Sequence, residues 1–370
     1  MNILFDARTA IPRFPGIGRY AAELASALAE LFEKTGDTLT LIENSSTLNK
    51  LTSAKNIVTV DCDVPPDSPM SCTAINQIIE AVKPTLYHTP HRICHPIETV
   101  PTVLTIHDCI PIRCPFETTP QERVAYIASV GSALRTCTRA IAVSQTTLDD
   151  LKSLFPDDMG KCRVIHHGVN KVFKPTKPEQ HAAAALSNHY KRPILLYIGN
   201  NLRHKNLVEL FRGFARAKQM LHGVRLVLGG YGCTPLPRHT RLIQELDLED
   251  FVTWIGEIME AELPAIIGSA TALVMPSLYE GFCMPVAEAM ACGTPVACSD
   301  IPALREICKE TVTYFNPEDP DTIAQALVTA VTDNIVRNRN RTAALDRARN
   351  FNWDEVARKT RDVYQDAASL

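Results

Sequence analysis

Short apolar segments of strand length alternate with longer amphipathic segments along most of this chain, and no other feature restricts the fold as strongly. This alternation is typical of a parallel sheet with helices on both faces. In the first half it predicts strands over Ile3–Phe5, Leu39–Ile42, Ile57–Val60, Thr85–His88, Val103–Ile106, Ala140–Val143 and Arg163–Ile165. The helices between them are predicted over Gly18–Phe32, Ser71–Val82, Pro120–Cys137 and Gln145–Phe155.

The alternation is interrupted once, where the segment from Lys171 to Glu179 is rich in proline and lysine and has no period. Such a segment predicts a linker. Because 370 residues exceed one ordinary core, two doubly wound α/β domains are predicted. The carboxyl ends of their strands should face one cleft, where open α/β sheets bind ligands. The second half is predicted to contain strands Pro193–Ile198, Arg225–Leu228, Val252–Trp254, Ala272–Met275 and Pro295–Ala297, with helices Leu207–Lys218, Thr240–Leu246, Glu262–Ser269 and Pro285–Cys292.

Composition excludes several other classes of protein. The net charge of -3 implies no strong attraction to nucleic acid, so no nucleic-acid partner is expected. The N-terminus has no basic start and the chain has no long uninterrupted apolar run, so a cytoplasmic location is expected. Twelve cysteines occur without a C-x-x-C pair, which favours reduced, apolar thiols over a zinc or disulfide framework.

One segment of the second half carries most of the chemistry. Residues 276–293 read Pro-Ser-Leu-Tyr-Glu-Gly-Phe-Cys-Met-Pro-Val-Ala-Glu-Ala-Met-Ala-Cys-Gly. A helix that begins near Pro285 presents free N–H groups and a positive dipole end, which suits a diphosphate. Glu280 and Glu288 would repel phosphate but can accept hydrogen bonds from sugar and ribose hydroxyls.

The pattern Glu-Gly-Phe-x-x-Pro-x-x-Glu-Ala-Met-Ala-x-Gly-x-Pro-Val in this segment resembles the two-glutamate signature of retaining GT-B glycosyltransferases. The resemblance is to the fourth family, glycosyl transferases group 1, and to bacterial polysaccharide mannosyltransferases within it. It implies a GT-B architecture of two Rossmann-like domains. Residues 1–172 would form the acceptor-side domain, 173–190 the linker, 191–350 the nucleotide-sugar-binding domain and 351–370 a helix that crosses back to the first domain.

The same resemblance implies roles for the signature residues. Glu280 should bind hydroxyls of the transferred sugar, and Glu288 should bind the ribose hydroxyls. The backbone N–H groups of Gly281, Phe282, Cys283 and Met284 should hold the distal phosphate and the edge of the sugar. Cys283 stands where the family commonly has glycine.

Other segments match the family's donor site. Lys205 matches a basic residue that contacts the donor diphosphate, and Arg203 is the candidate for a second cation. By analogy, Gly230 and Glu257 flank the nucleotide base. The glycine-rich loop near the start resembles one that approaches the donor phosphates. The donor-site candidates outside the signature are therefore Gly16, Gly18, Arg203, Lys205, Gly230 and Glu257.

The loop around Gly16 and Gly18 is open to a second interpretation. Its residues also fit the G-x-G-x-x-A fingerprint of nicotinamide-dinucleotide binding. That fingerprint should follow its strand directly, whereas here the segment from Ala7 to Pro15 intervenes. The fingerprint match is therefore weak evidence for a dinucleotide.

Three candidates lie at the ends of strands of the first domain. His107 and Asp108 match a His-Asp step that approaches the transferred sugar and the acceptor, and His88 ends another strand. A purely structural role is the alternative for both histidines. The pair Asp61 and Asp63 reads as a polar turn rather than an Asp-x-Asp manganese motif, so no metal is expected.

The resemblance implies a retaining transfer of a hexose from a nucleotide sugar to a glycan or lipid-linked glycan hydroxyl. Glu280, His107 and Lys205 are the expected catalytic residues, and no cofactor is expected. Mannose from GDP-mannose is favoured, with UDP-glucose open. The alternatives are a sugar-nucleotide epimerase, a phosphorylase and a non-catalytic nucleotide-sugar-binding subunit. Peripheral contact with the inner face of a membrane, through the helix Pro120–Cys137 with Arg123, Arg135 and Arg139, is a further expectation, and a solvated helix face is the alternative.

Overall fold

The computed structural model describes residues 1–11, 14–44, 57–91, 97, 99–175 and 193–370. They form two compact units. The first comprises Met1–Gly168 together with Asn352–Leu370, and the second comprises Val169–Phe351. Most of the predicted linker, from residue 176 to 190, lies outside the described residues.

The first unit contains a seven-stranded sheet in which all neighbouring strands are parallel. Its strands lie in the order β3-β2-β1-β4-β5-β6-β7. The central strands are buried along nearly their whole length, as expected of strands covered on both faces. The strands are β1 (Asn2–Asp6), β2 (Thr38–Glu43), β3 (Ile57–Asp61), β4 (Leu86–Thr89), β5 (Thr102–Ile106), β6 (Arg139–Ala142) and β7 (Cys162–Val164).

Helices of the first unit cover this sheet, and the last helix of the chain is one of them. It packs against the first helix, and Leu24, Leu28 and Tyr364 are completely buried in the same core as Phe5 of β1. The helices are α1 (Pro15–Thr35), α2 (Ser71–Val82), α3 (Ile110–Arg113), α4 (Pro120–Thr136), α5 (Gln145–Leu154) and, after the second unit, α13 (Trp353–Ala368).

The second unit repeats this architecture with six parallel strands in the order β10-β9-β8-β11-β12-β13. The strands are β8 (Ile194–Ile198), β9 (Arg225–Gly229), β10 (Val252–Gly256), β11 (Ala272–Met275), β12 (Val296–Ser299) and β13 (Thr313–Phe315). The helices are α6 (Leu207–Lys218), α7 (Pro237–Glu245), α8 (Leu263–Ser269), α9 (Met284–Cys292), α10 (Pro302–Cys308), α11 (Pro320–Thr332) and α12 (Asn334–Ala348).

In both sheets the strand order reverses direction beside the first strand. β1 pairs with both β2 and β4, and β8 pairs with both β9 and β11. Such a reversal opens a crevice at the carboxyl ends of the two central strands, where doubly wound sheets bind ligands. The predicted class of two doubly wound α/β domains is therefore confirmed, and each unit has one such position.

The sequence pattern did not predict the elements between residues 302 and 348. β13 has three residues, too few to show a period, and α12 is dominated by Asn and Arg with few apolar positions. Within the described part of the chain, no helix is both long enough and apolar enough to cross a membrane.

Candidate active site

A lysine and a glutamate meet at the strand reversal of the second sheet. Lys205 follows β8 in a 3-10 turn, and Glu280 lies in the loop after β11. The Nζ atom of Lys205 donates to Oε1 of Glu280 at 2.6 Å. The hydroxyl of Ser277 donates to the same oxygen, also at 2.6 Å. Two catalytic candidates 75 residues apart in the sequence therefore form one ion pair, in which Glu280 is buried and Lys205 is half-buried.

Charge and hydrogen bonding keep Glu280 ionised. Burial alone would raise the pKa of its carboxyl, but the positive charge and hydrogen bond of Lys205 outweigh burial, and the hydroxyl of Ser277 adds to the effect. The net result is a lowered pKa. The site thus holds a fixed carboxylate that can accept further hydrogen bonds, beside an ammonium group that can turn toward an anion.

The loop after Glu280 leads into α9 through a strained residue. Cys283 caps the helix with φ 77°, in the left-handed region that favours glycine. A side chain there costs on the order of 1–2 kcal/mol. Cys283 is buried, and burial raises the pKa of its thiol well above the usual range, so the thiol is protonated. Strain of this kind persists where the surrounding structure holds it in place.

The remaining signature residues line the start of α9. Gly281 and Phe282 are buried, and Met284 is half-buried at the first position of the helix. Glu288 projects from α9 and is 1% exposed. These positions are brought together in one loop and helix start, as the signature predicts, while their roles toward a ligand remain predictions.

Close backbone contacts explain Gly230. A Cβ atom on this residue would lie 2.9 Å from the backbone nitrogen of Gly199, and its φ is 124°. The N–H of Gly230 donates to the carbonyl of Gly256 at 2.8 Å. Gly230 is thus required by the packing of the loops after β8, β9 and β10, whatever ligand these loops hold.

Arg203 and Glu257, the other donor-site candidates, are both exposed. Arg203 precedes Lys205 in the same turn, and Glu257 directly follows β10. Asn206 has a structural role, because its amide donates to the carbonyl of Pro317 at 2.7 Å. Sequence analysis missed Ser277, although it lies in the quoted segment three residues before Glu280.

In the first unit, His88 is completely buried at the end of β4 and hydrogen-bonded through both ring nitrogens. Nδ1 lies 2.5 Å from the hydroxyl of Tyr364, and Nε2 lies 2.9 Å from Oγ1 of Thr105. Thr105 also lies 3.3 Å from the hydroxyl of Tyr20. The acceptor-side role of His88 remains a prediction, but this network already accounts for the residue structurally.

His107 follows β5 and has a defined tautomer. Its Nε2 lies 2.9 Å from the carbonyl oxygen of Pro90, so Nε2 carries the proton. Nδ1 is then an acceptor, and within the described residues it has no hydrogen-bond partner. Burial lowers the pKa of His107 to about 4, which keeps the ring neutral at pH 7. The neighbouring Asp108 accepts a hydrogen bond from the N–H of Ile110, the first residue of the short helix α3, at 3.0 Å.

The buried ring of His88 predicts acid sensitivity. Burial lowers the pKa of His88 to about 3, against about 6.5 in an unfolded chain. The unfolded state therefore binds more protons below about pH 6.5, and the first unit should lose stability as the pH falls from there toward 3. The expected slope is up to about 1.4 kcal/mol per pH unit for His88 alone.

Chemical unfolding at a series of pH values from neutral to mildly acidic would measure this slope. His88→Gln keeps hydrogen-bonding capacity without a titrating ring, so its stability should depend less on pH. His222→Gln is the matched control, because His222 is exposed and its replacement disturbs no buried network. Equal slopes for His88→Gln and the native protein would contradict this prediction.

The two glycines of the N-terminal loop differ in their surroundings. A Cβ atom on Gly18 would lie 2.5 Å from the carbonyl oxygen of Thr9, whereas a Cβ atom on Gly16 would meet nothing within 4 Å. Gly18 is buried and Gly16 is exposed. Gly18 is therefore required by packing, whereas nothing within the described structure requires glycine at position 16.

This difference gives a paired test. Gly18→Ala should destabilise the first unit by about 1–3 kcal/mol, because backbone must shift to relieve the contact. Gly16→Ala should leave stability unchanged or slightly raised, because alanine favours a helix start over glycine. If Gly16 approaches a donor phosphate, Gly16→Ala should nonetheless raise KM for the donor. Unchanged kinetics for Gly16→Ala would remove this residue from the donor site.

A buried ion pair that sequence analysis missed lies at the end of β1. Arg8 and Asp6 are 1% and 3% exposed and form two hydrogen bonds, of 2.8 and 2.7 Å. Arg8 also donates to the carbonyl of Val64 at 2.6 Å and to the hydroxyl of Ser71 at 3.0 Å. The hydroxyl of Tyr87 donates to Asp6 at 2.9 Å. This network ties the loop before α1 to α2 and β4.

Within the described ranges, no group of three or more His, Cys, Asp or Glu side chains is placed to hold a metal ion. Asp61, the first residue of the Asp-x-Asp pair, ends β3, and the N–H of Cys62 donates to the carbonyl of Glu43 at 2.7 Å.

Several solved structures share this fold, and a glycosyltransferase from Rickettsia africae is among them. Sucrose-phosphate synthase from Thermosynechococcus elongatus superposes with a TM-score of 0.79 at 20% identity, covering 99% of this chain and 98% of that one. Anabaena HepE, solved in complex with UDP-glucose, superposes with a TM-score of 0.75 at 17% identity, covering all of both chains. The two doubly wound units therefore define the GT-B class of fold, as the sequence predicts.

Family models cover both units of this chain. The model of "Glycosyl transferases group 1" matches residues 179–347, and the model of "Glycosyltransferase Family 4" matches residues 15–172. The chain belongs to the group 1 glycosyltransferases and is a transferase enzyme. O-antigen chain mannosyltransferase B of Escherichia coli is 26% identical, covering 99% of this chain and all of the relative. O-antigen chain mannosyltransferase RfbU of Salmonella typhimurium is 28% identical, covering 69% of each.

Proposed function

We propose that this protein is a retaining mannosyltransferase that transfers mannose from GDP-mannose to a hydroxyl of a glycan or lipid-linked glycan. The observation that carries the proposal is the partly buried Lys205–Glu280 pair, 2.6 Å apart, at the strand reversal of the second sheet. In this proposal the donor diphosphate binds Lys205 and the N-terminus of α9, and Glu280 accepts hydrogen bonds from the sugar. The choice of mannose is supported by relatives named as O-antigen chain mannosyltransferases.

The proposed reaction proceeds on one face of the sugar. The bond between the anomeric carbon and the phosphate oxygen breaks, and the acceptor oxygen bonds to the same carbon from the same side. The proton of the acceptor hydroxyl moves to the leaving phosphate. Lys205, the helix dipole and the exposed cation Arg203 stabilise the charge that develops on that phosphate.

Glu280 orients the sugar in this mechanism and does not attack it. Its lowered pKa keeps it an acceptor of hydrogen bonds. Glu288 binds the ribose hydroxyls in this proposal. Gly230 and Glu257 flank the nucleotide base. His107 is assigned to the acceptor side, where its Nδ1 lone pair can accept a hydrogen bond from a sugar hydroxyl. No metal or other cofactor takes part.

The proposal includes a place of action, in the cytoplasm beside the inner face of a membrane. Val124 and Ile127 of α4 are 67% and 38% exposed beside Arg123, which supports contact of this helix with a lipid surface. Arg139, which follows the helix, does not contribute a free cation, because it forms a bidentate pair with Asp366.

The experiment that tests the donor is a thermal-shift panel of GDP, UDP, GDP-mannose and UDP-glucose. GDP and GDP-mannose should raise the melting temperature above their uridine counterparts, because a ligand at about a hundredfold excess over Kd stabilises by about 2.7 kcal/mol. A selective response to the uridine nucleotides would show that the donor is a UDP-sugar and not GDP-mannose. No response to any nucleotide would overturn the proposal. The anomeric configuration of the product, measured by NMR, decides between retention and inversion.

A further inference from the structure

A cavity lies in the second unit, apart from the Lys205–Glu280 pair. Its volume is about 420 Å³, within the range of small-ligand sites. β13, one face of α11 and the segment around Arg305 line it. Gln325 and Thr329 lie on the same face of α11, since residues four apart are neighbours on a helix.

The charged groups of this cavity neutralise each other. Of the described residues that line it, only Asp300 and Arg305 carry charge, and they form two hydrogen bonds of 2.6 and 2.7 Å. Arg305 also contacts Glu310 outside the cavity at 3.2 Å. A guanidinium paired in this way has little attraction left for an anion, so a phosphate or another charged ligand is disfavoured.

The cavity wall is held rigidly and carries polar groups. The guanidinium of Arg305 stacks 3.8 Å from the ring centre of Tyr314, whose hydroxyl donates to the carbonyls of Leu304 and Lys309. Asn316 and Gln325 add carboxamide groups, and Thr329 adds a hydroxyl. Oδ1 of Asn316 already accepts from the N–H of Glu318, and the Thr329 hydroxyl donates to the carbonyl of Gln325, so a ligand would meet the amide donor of Asn316 and the acceptor side of the Thr329 oxygen. Planar amides and carboxylates pair well with vicinal hydroxyls, and a prearranged wall loses little entropy when it binds them.

The position of the cavity connects it to the candidate active site. Asp300 directly follows β12 and Asn316 directly follows β13, so both lie at the carboxyl edge of the sheet that also carries Glu280. β13 is two strands from β11, a separation of roughly 10 Å. A ligand in the cavity would lie along the same edge without occupying the place of the donor.

We propose that this cavity, lined by Asp300, Arg305, Tyr314, Asn316, Gln325 and Thr329, binds a neutral carbohydrate. The ligand is a unit of the acceptor glycan remote from the reacting hydroxyl, and this part of the inference rests on the proposed function. The preference for a neutral ligand and for hydroxyl groups follows from the lining, and the volume of about 420 Å³ is within the range of small-ligand sites.

Saturation-transfer NMR with mannotetraose and maltotetraose as probes tests the proposal on the full chain. At least one of them should bind the native protein with a millimolar Kd. The double variant Gln325→Ala/Thr329→Val should keep the fold, because Gln325 is exposed and Thr329 is half-buried. It should weaken oligosaccharide binding about tenfold, the effect of one to two lost hydrogen bonds.

Glu280→Gln serves as the matched control, because it alters the donor site and leaves the cavity intact. Binding that persists in Glu280→Gln and weakens in the double variant supports the proposal. Failure of both oligosaccharides to bind the native protein, equal binding by the double variant, or loss of binding in Glu280→Gln would each overturn it. The thermal shift produced by GDP or UDP reports separately on the proposed function, because the double variant should leave that shift unchanged.

Discussion

Glu280→Gln should lower kcat by about 10²–10³-fold, the usual cost of removing one group that stabilises a transition state in a buried site. The substitution keeps the size of the side chain and an oxygen that can accept from Ser277, which lies 2.6 Å from Oε1. It removes the negative charge that Lys205 contacts at 2.6 Å. Some stability should also be lost, about 1–3 kcal/mol, because one partner of a buried hydrogen-bonded pair changes.

Three measurements separate catalysis from folding in this variant. Circular dichroism establishes that the protein is folded at the assay temperature. The thermal shift by a bare nucleoside diphosphate should persist, because Glu280 is assigned to the sugar and not to the diphosphate. Ser277→Ala, which removes a hydroxyl from the same oxygen and leaves the ion pair, should reduce kcat much less. Turnover at the native rate in folded Glu280→Gln would exclude the role proposed for this carboxylate.

Arg8→Met should cause the largest loss of stability among the substitutions considered. It leaves the Asp6 carboxylate, 3% exposed, with the hydroxyl of Tyr87 but without its positive partner. Breaking a buried ion pair in this way costs about 3–5 kcal/mol. For a unit of this size the melting temperature should fall by roughly 10 °C.

A surface pair in the same unit provides the control. Arg358 also forms two hydrogen bonds with one carboxylate, of 2.8 and 2.6 Å to Glu355, but on the exposed face of α13. Arg358→Met should leave the unfolding transition almost unchanged, because solvent replaces the lost contacts. If Arg8→Met and Arg358→Met shifted the transition equally, burial would not be what makes the Asp6–Arg8 pair strong.

The sequence was sufficient to predict most strands, because buried parallel strands are continuous apolar runs that need no knowledge of their neighbours. β8 and β11 are such runs, and both were predicted within a residue. The helix start at Met284 was also predictable from a local feature, because Pro285 suits the first turn of a helix. The strand β13 was missed because its three residues are too few to show a repeating apolar pattern.

Contacts between side chains were much harder to predict from the sequence. Lys205 was named as a candidate only by resemblance, and Glu280 also from its place before the helix start. Their direct contact, however, depends on the pairing of β8 with β11. Arg8 was overlooked because its burial beside Asp6 depends on distant parts of the chain, where Val64 and Ser71 lie 56 and 63 residues away. The hydrogen bond between His88 and Tyr364 spans 276 residues. Such contacts follow from topology, and no local pattern encodes them.

The return of the last helix to the first unit has a consequence for biosynthesis. A ribosome completes residues 1–168 long before it reaches Trp353, and in that interval the apolar face of α1 lacks the helix that buries it. His88 also lacks its Tyr364 partner during this time. The second unit can finish folding while the first is still incomplete, so the first unit to be synthesised is the last to mature. Nascent chains stalled before residue 352 should therefore depend on chaperones that shield exposed apolar surface.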